Sequence, residues 1–213
     1  MNYWLYKLTT DIGGAPCASR ALLSLAICKP HIRMRAKKGD IVLGFVSKSL
    51  SKKLGGRIRQ YALIYIAQIT RILPNGEYYR NPPYHSRPDC IYEWNDGRLR
   101  WRSGSKFHLQ QPINMKHDVG MWIGGSYDRS AVLLSTSFVY FGRKCSVIDK
   151  KEYPNLENRV STLPRDYVST IDWKVKRDLV RLSRQLLRSH GGHIRGKPCQ
   201  ELKDRVKCLV RCD

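Results

Sequence analysis

The sequence predicts an α+β fold, a small β-barrel with flanking helices and a basic helix towards the C-terminus. Short segments rich in apolar and aromatic residues recur through the first two thirds of the chain, separated by glycine and proline turns. One short helix follows the first strand, and one long amphipathic pattern lies near the C-terminus. Such a mixture is typical of small barrels that carry their helices outside. We predict the barrel over residues 1–170, with a helix and tail packed on the same domain over residues 171–213.

The charge of the chain is unusual, although its hydrophobic content is ordinary for a protein with a core. The 213 residues include 39 Lys and Arg against 17 Asp and Glu, which gives a formal net charge of +22. Like charges repel one another in a compact domain, and a polyanion relieves that repulsion. A pI near 10.0 is typical of nucleic-acid-binding proteins, so nucleic acid is the predicted partner. A generally basic protein without such a partner is the alternative.

The sequence favours a cytoplasmic protein. No basic stretch followed by an apolar run opens the chain, so no signal peptide is predicted. The longest apolar stretches, such as residues 62–67, are too short to cross a bilayer, so no membrane partner is predicted. Seven cysteines, an odd number, suit reduced thiols better than a disulfide framework. The sequence carries no indication of oligomeric state.

Apolar, β-branched and aromatic residues concentrate in five segments that we predict to be strands. These segments cover residues 3–9, 41–46, 60–72, 121–123 and 131–140. Pro30 suits the first turn of a short helix, where its missing N–H costs nothing. Residues 47–59 are polar and basic and are predicted to form a loop. Residues 149–168 are predicted to form a further irregular connection.

Residues 74–118 are predicted to form an extended, irregular excursion with short strands, because five prolines forbid long regular elements. Aromatic rings and arginines alternate along this excursion, as Tyr78, Tyr79, Arg80, Tyr84, Arg87, Tyr92, Trp94, Arg98, Arg100, Trp101 and Arg102. An aromatic face stacks on an unpaired base with about 1–3 kcal/mol, and arginine pairs with phosphate. The excursion therefore predicts a nucleotide pocket. The alternative is that the rings simply close a core beneath a long loop.

A long amphipathic helix is predicted over residues 172–189. Its apolar stripe contains Val175, Leu179, Leu182 and Leu186. Its opposite face carries a basic ridge at spacings of three and four, formed by Lys174, Arg177, Arg181, Arg184 and Arg188. A solvated face usually mixes charges of both signs, so we predict that the basic ridge binds phosphates. An ordinary solvated face is the alternative.

No motif of a known catalytic or cofactor site occurs in the sequence. It lacks a phosphate-binding P-loop, a His-Glu-x-x-His motif, a Gly-x-Ser-x-Gly motif and a compact cluster of carboxylates. We therefore predict no catalytic residue, no cofactor and no metal. The C-terminal part holds possible zinc ligands, His190, His193, Cys199, Cys208 and Cys212. Because no tight Cys-x-x-Cys knuckle occurs among them, an exposed tail is the favoured interpretation.

Several blocks along most of the chain resemble one known family. The blocks are Thr10-Asp11-x-Gly13-x-Ala15-Pro16, Leu25-Ala26-x-Cys28-Lys29-Pro30-x-Ile32-Arg33, Ala36-x-x-Gly39-Asp40-Ile41-Val42-x-Gly44, Cys90-Ile91-Tyr92 and Gly192-His193-x-x-Gly196-Lys197-Pro198-Cys199. Together they resemble the second type of nucleotide modification associated domain. The resemblance implies a PUA-like barrel, related to the ASCH, EVE and YTH domains, and a role in recognising modified bases in DNA or RNA. It highlights Asp11, Cys28, Lys29, Arg33, Ser47, Tyr92 and the Ser105-x-x-His108 stretch.

The favoured hypothesis is a reader that holds a modified or flipped nucleotide in a pocket while the basic ridge holds the backbone. The predicted base pocket contains Asp11, Lys29, Arg33, Ser47, Tyr92, Trp101, His108 and Trp122. The alternative is an enzyme that acts on nucleic acid, a nuclease or a base-modifying activity. It depends on the fold bringing together Asp11, Lys29, Arg33 and His108. A basic module that binds an acidic protein is a third interpretation.

Overall fold

The computed structural model describes residues 1–164, 166–188 and 192–202. The strands within these residues are β1 (Tyr3–Leu8), β2 (Cys17–Ser19), β3 (Leu22–Leu25), β4 (Ile41–Val46), β5 (Leu63–Gln68), β6 (Arg71–Leu73), β7 (Tyr92–Asn95), β8 (Arg98–Trp101), β9 (Trp122–Ile123), β10 (Ser126–Tyr127), β11 (Val132–Ser135), β12 (Ser137–Tyr140), β13 (Tyr167–Val168) and β14 (Gly192–Ile194). The α-helices are α1 (Pro30–Arg35), α2 (Lys48–Lys53), α3 (Glu77–Arg80), α4 (Pro112–Val119), α5 (Pro154–Ser161) and α6 (Trp173–Leu187). Short 3-10 helices cover Pro82–Tyr84 and Gly142–Lys144. The predicted α+β class is confirmed.

Two sheets form the centre of the molecule. The larger sheet has the order β13-β1-β4-β5-β12-β14, with β1 parallel to β4 and β12 parallel to β14. The smaller sheet has the order β2-β3-β11-β6 and is antiparallel throughout. Each of the pairs β5–β6 and β11–β12 passes from one sheet into the other. The two sheets therefore share a bent hairpin.

The predicted closed barrel is not confirmed. Among the described residues the strands form open sheets, together with two separate hairpins, β7–β8 and β9–β10. The segment predicted as one long strand, residues 60–72, breaks between β5 and β6. Its main chain there bonds to other elements, since Ile69 N donates to Asp40 O and Thr70 N donates to Leu134 O. The bend at this point divides the strands between two sheets and leaves edges at β13 and β14.

Alternating side chains divide the interior into three apolar layers. Inward residues of both sheets, such as Tyr6, Val42 and Leu133, form the layer between the sheets. The other face of the larger sheet packs against α5 and α6. The other face of the smaller sheet, through Val132 and Leu134, packs against residues of the 74–118 excursion. The rings of the excursion thus form a core of their own, as the alternative interpretation expected.

A buried ion pair fastens the excursion to the β2–β3 hairpin. Arg87 Nε lies 3.6 Å from Asp89 Oδ1, and both side chains are buried. Arg87 also donates to the main-chain oxygens of Cys17 and Leu22. The Tyr78 hydroxyl donates to Asp89 Oδ1 at 2.8 Å. These contacts fix the position of a proline-rich segment whose helices and strands are all short.

Two predicted loops contain helices. In place of the loop over residues 47–59 the structure has α2, which begins where the Ser47 hydroxyl accepts a hydrogen bond from Leu50 N at 3.0 Å. The connection over residues 149–168 contains α5, which begins at Pro154 and buries Leu156 and Val160. One or two buried apolar residues anchor each of these short helices, so neither shows a long apolar stripe in the sequence. No described helix has the length and apolar character needed to cross a membrane.

The C-terminal helix is confirmed with slightly shorter bounds. Asp172 accepts hydrogen bonds from the main-chain N–H groups of Lys174 and Val175, as expected of a helix cap. The predicted apolar stripe lies against the larger sheet and α5, with Val175, Leu179 and Leu182 buried. The opposite face of α6 is left to solvent.

Candidate functional site

A cysteine, a histidine and an aspartate form a hydrogen-bonded chain where the excursion meets the end of β3. Cys28 Sγ lies 3.3 Å from His108 Nε2, and His108 Nδ1 lies 2.7 Å from Asp118 Oδ2. The imidazole therefore uses one ring nitrogen for the thiol and the other for the carboxylate. We call Cys28, His108 and Asp118 the thiol triad.

The three residues come from separate parts of the chain. Cys28 lies in the turn between β3 and α1, with a left-handed main chain at φ 58°. His108 lies before α4, also left-handed at φ 60°, and Asp118 lies in the last turn of α4. A positive φ is uncommon for residues other than glycine and often marks a functional site. The two turns aim the thiol and the imidazole at each other.

Asp118 organises the site because both of its carboxylate oxygens accept hydrogen bonds. Oδ1 accepts from Cys28 N at 2.8 Å, and Oδ2 accepts from the Tyr92 hydroxyl at 2.8 Å as well as from His108. Asp118 is completely buried, and Tyr92 is completely buried beside it. The carboxylate thereby fixes the turn that carries the thiol, the ring that faces the thiol and one wall of the site.

Opposing effects set the charge of the Asp118 carboxyl. Burial by itself raises the pKa of Asp118. Hydrogen bonds from His108 and His117, with the positive charge of Arg33, outweigh burial and hold this pKa well below its ordinary value. Burial and the nearby Asp118 charge both raise the pKa of Tyr92, so its hydroxyl stays a proton donor. The site therefore holds a carboxylate at neutral pH.

Arg33 is part of the framework of this site. Its side chain is buried, and Nε donates to Cys28 O at 2.7 Å. Its terminal nitrogens donate to the main-chain oxygens of Asp118, Arg129 and Ala131. The guanidinium thus links the Cys28 turn to the end of α4. Its nitrogens donate their hydrogen bonds to main-chain carbonyl groups.

The thiol triad has the parts of a nucleophilic site. A thiol becomes a strong nucleophile when a neighbouring base takes its proton, and an imidazole held by a carboxylate is a suitable base. His108 Nε2 is in reach of the thiol, and Asp118 stabilises the imidazolium that results. Cys28 is half-buried, whereas the side chains of His108 and Asp118 are almost closed off. Cys28 is therefore the most exposed residue of the triad.

The same residues could also hold a metal ion. Their ligand atoms lie within 4.8 Å of one another. Cys28 Sγ and His108 Nε2 suit a soft divalent ion such as Zn²⁺, with Asp118 orienting the imidazole through Nδ1. A structural zinc site needs four ligands, and this arrangement offers the ion two directly. The geometry fits the nucleophilic interpretation better.

Three residues of the predicted base pocket lie on neighbouring loops with other partners. Both carboxylate oxygens of Asp11 accept from the Tyr140 hydroxyl, at 2.7 and 2.9 Å, and Asp11 is buried. Lys29 Nζ lies 5.0 Å from the centre of the Tyr6 ring and pairs with an exposed aspartate. Ser47 caps α2. Of this group Lys29 directly follows Cys28 in the chain, and its amine lies on the Tyr6 ring.

The two predicted stacking tryptophans lie in different places. Trp101 is half-buried and packs on Tyr92 with ring centres 4.7 Å apart, so it borders the thiol triad. Trp122 is 36% exposed and packs edge-on against Trp94 and Tyr127. It lines a separate surface groove of about 520 Å³ that also carries Arg98. The predicted pocket residues therefore do not form one pocket.

The loop after β1 connects these regions. Residues 11–16 lie against the excursion, because a Cβ at Gly14 would meet the Phe107 ring at 2.9 Å. Phe107 directly precedes His108. Tyr6 is buried in the larger sheet, with its hydroxyl 2.9 Å from that of Tyr65, and burial and Tyr65 together hold the pKa of Tyr6 well above its ordinary value. The loops after β1 and β3 and the excursion thus meet around the thiol triad.

All five residues of the basic ridge are exposed along α6, namely Lys174, Arg177, Arg181, Arg184 and Arg188. The neighbouring acid on this helix does not neutralise them. Asp178 is buried and accepts hydrogen bonds from the Asn155 and Leu156 N–H groups at the start of α5. Arg177 lies 5.8 Å from the centre of the exposed Trp173 ring. The ridge is therefore a continuous cationic surface with an aromatic ring at one end.

The sequence missed the thiol triad as a unit. Cys28 and His108 were highlighted by the family resemblance, but Asp118 carried no signal because it lies in a segment predicted to be irregular. An acid ten residues after a histidine does not by itself indicate that the two side chains meet. Of the possible zinc ligands, His190, Cys208 and Cys212 lie outside the described residues, while the Cys199 N–H donates to Asp11.

Comparison with known proteins identifies the family. The family model for nucleotide modification associated domain 2 matches residues 1–205. No curated protein and no solved structure matches the chain. The family match confirms the resemblance seen in the sequence and links the protein to nucleotide modification. The chain therefore belongs to the nucleotide modification associated domain 2 family.

Proposed function

We propose that the protein is a thiol-dependent enzyme that acts on nucleotides of a nucleic acid. The single observation that carries the proposal is the chain of contacts from Cys28 Sγ to His108 Nε2, at 3.3 Å, and from His108 Nδ1 to Asp118 Oδ2, at 2.7 Å. Three polar groups in this order are the requirement for a cysteine nucleophile. The family match and the basic surface of α6 favour a nucleotide within a strand as the substrate.

The reaction we propose is attack by sulfur on an electrophilic carbon of a base or of a base substituent. His108 Nε2 takes the proton of the Cys28 thiol, and the thiolate forms a bond to the carbon. Asp118 stabilises the imidazolium through Nδ1–H. The proton on His108 then passes to the leaving group or to the oxygen or nitrogen that received the electron pair. Attack by water or a second substrate releases the thiol and completes the turnover.

Trapping of an adduct on Cys28 tests this proposal. The purified protein is incubated with DNA and, separately, RNA from a whole-cell pool, the mixture is digested with nucleases, and the intact protein is weighed by mass spectrometry. We expect a nucleotide-derived mass or a released product with the native protein. Both should be lost with Cys28→Ala. The matched control is Cys145→Ala, since Cys145 is also a half-buried cysteine and lies outside the triad.

The same experiment with a chelator separates covalent from metal chemistry. Turnover by the thiol triad does not depend on a divalent ion, so the chelator should leave the adduct unchanged. Loss of activity with the chelator and its return with Zn²⁺ would contradict the nucleophilic role of Cys28. Equal product from the native protein and Cys28→Ala would contradict the proposal as a whole.

A reader of a modified or flipped base is the second candidate. The exposed basic ridge and the half-buried Trp101 beside Tyr92 support it, because such surfaces bind backbone phosphates and stack on bases. The reader predicts retention of intact modified nucleotides, with equal affinity in the native protein and in Cys28→Ser. Mass spectrometry of the nucleotides retained from the pool measures this outcome.

A further inference from the structure

A pocket separate from the thiol triad lies at the edge of the larger sheet. Its volume is about 660 Å³, within the usual range of small-molecule sites. The C-terminal segment that follows β14 and the turn that follows β12 form its walls. Four of its lining residues are cations that reach solvent, Arg143, Lys144, Arg195 and Lys197. We call this site the basic pocket.

Main-chain contacts hold the two walls of the basic pocket together. Arg195 N donates to Tyr140 O at 2.8 Å, and Arg143 N donates to Lys197 O at 2.8 Å. The backbones approach so closely that a Cβ at Gly196 would lie 2.2 Å from Phe141 O. The main chain that carries the cations is therefore held in place, so less conformational entropy is lost when a ligand binds.

Among the described residues, acids balance the charges of the pocket poorly. Arg143 contacts Glu201 at 3.9 Å, and that carboxylate is 74% exposed, so the pair is weak. Asp11 lies behind the wall, buried and bonded to the Tyr140 hydroxyl. Arg195 lies 5.2 Å from the centre of the Phe141 ring, a cation–π contact that orients the guanidinium. The pocket thus presents a strong positive potential to its ligand.

We propose that the basic pocket binds a terminal phosphate, as a phosphate monoester or polyphosphate. A terminal phosphate carries about −1.5 to −2 charges at neutral pH and three oxygens, more than one diester of a strand offers. Four cations line one pocket, and the two arginines among them offer the forked donors that suit phosphate oxygens. The exposed Ile194 and the half-buried Pro198 and Ala18 add apolar surface for the rest of a nucleotide.

The loop after β1 lies between this pocket and the thiol triad. Gly13 lines the basic pocket, and the next residue, Gly14, packs against Phe107 beside His108. The two sites are therefore on opposite sides of one short loop. The binding of a terminal phosphate does not require chemistry at Cys28, so the inference stands apart from the proposed function.

The test measures affinity for three probes. These are a deoxynucleoside triphosphate, a single-stranded oligonucleotide with a 5′-phosphate and the same oligonucleotide with a 5′-hydroxyl. Binding is followed by calorimetry for the first and by fluorescence anisotropy of an internally labelled strand for the other two. The pocket variant is Arg195→Gln with Lys197→Gln. The matched control is Arg177→Gln with Arg184→Gln, which removes the same charge from the basic ridge.

We expect the pocket variant to bind the triphosphate or the 5′-phosphorylated strand with about tenfold or more lower affinity, since charged hydrogen bonds are lost. The 5′-hydroxyl strand should change little, and the ridge variant should leave the triphosphate unaffected. Lower affinity for the triphosphate shows that a free nucleotide supplies the terminal phosphate. Lower affinity for the phosphorylated strand alone shows that the end of a strand supplies it. The inference is overturned if both strands weaken equally, or if no probe responds to the pocket variant.

Discussion

Cys28 and His108 face each other from two left-handed turns, with φ of 58° and 60° and 3.3 Å between Sγ and Nε2. Neither residue has the conformational freedom of glycine, so each turn is held by contacts elsewhere. Asp118 supplies contacts to both, one to the Cys28 main chain and one to the His108 ring. The geometry of the thiol and the stability of the fold therefore depend on the same carboxylate.

Replacement of Asp118 by asparagine should lower the free energy of unfolding by about 3 kcal/mol or more, because a buried charged partner is removed. The amide cannot accept all three hydrogen bonds from Cys28 N, Tyr92 and His108. Urea unfolding at neutral pH measures the change. A loss below about 1 kcal/mol, the net worth of one ordinary hydrogen bond, would contradict the central position we assign to this carboxylate.

The pH dependence of stability should also change in Asp118→Asn. The pKa of Asp118 is lower in the folded protein than in the unfolded chain. Its contribution is therefore complete above the unfolded aspartate pKa, about 3.9, and is lost as the pH falls towards the folded value. Unfolding free energies at a series of acidic pH values should show a shallower loss in Asp118→Asn than in the native protein. Parallel curves would contradict the lowered pKa.

Replacement of Tyr92 by phenylalanine should cost about 1.5–3 kcal/mol of unfolding free energy, the usual value of a hydrogen bond to a charged group. The change removes the 2.8 Å bond to Asp118 and keeps the ring that packs on Trp101. Chemical denaturation measures the loss. Tyr84→Phe is the control, since Tyr84 is half-buried and stacked on Tyr78 with ring centres 4.8 Å apart. Equal losses in both variants would assign the effect to tyrosine hydroxyls in general.

The sequence predicted the parts of this fold that depend on local patterns. The concentration of apolar and aromatic residues marked β1 and β4, and the spacing of Val175, Leu179 and Leu182 marked α6. It could not predict α2, where capping by Ser47 and burial of Leu50 decide the structure. Closure of a barrel depends on how strands bend and pair, which the local pattern of one strand does not determine.

The candidate site was predicted only in part for the same reason. Cys28 and Asp118 are 90 positions apart and meet through a main-chain bond, which no spacing in the sequence anticipates. Arg33 was predicted to face a base, but four carbonyl contacts occupy it. A buried arginine and a ligand-binding arginine have the same sequence signal. The exposed ridge was predictable because helical spacing alone places its members on one face.

Replacement of Arg87 by methionine should lower the free energy of unfolding by about 3–5 kcal/mol, because it leaves Asp89 charged and buried without its partner. The excursion would also lose its bonds to the β2–β3 hairpin. Chemical denaturation measures the change, with Arg71→Met as the control. Arg71 pairs with Glu77 at 3.4 Å on the surface, where such a pair contributes about 0–1 kcal/mol. Similar losses in the two variants would show that Arg87 is no anchor.

The basic ridge should determine how salt affects nucleic-acid binding. If each of its five cations meets one phosphate, log K should fall with log salt at a slope of about −3.5 to −4.5. Arg177→Gln with Arg184→Gln should make the slope shallower by about 1.4–1.8, because two phosphate contacts are lost. Anisotropy titrations at several salt concentrations measure the slope for single-stranded and duplex DNA.

The control for the ridge is Lys37→Gln with Lys38→Gln, two exposed lysines that precede β4 and lie outside α6. This variant removes the same net charge, so it separates local contacts from the field of the whole protein. We expect its slope to equal that of the native protein. If both double variants reduce the slope equally, the charge acts as a general property of the surface and α6 is not the strand-binding face. A slope near zero for the native protein would contradict any phosphate contact, because phosphate contacts release counterions and so make binding depend on salt.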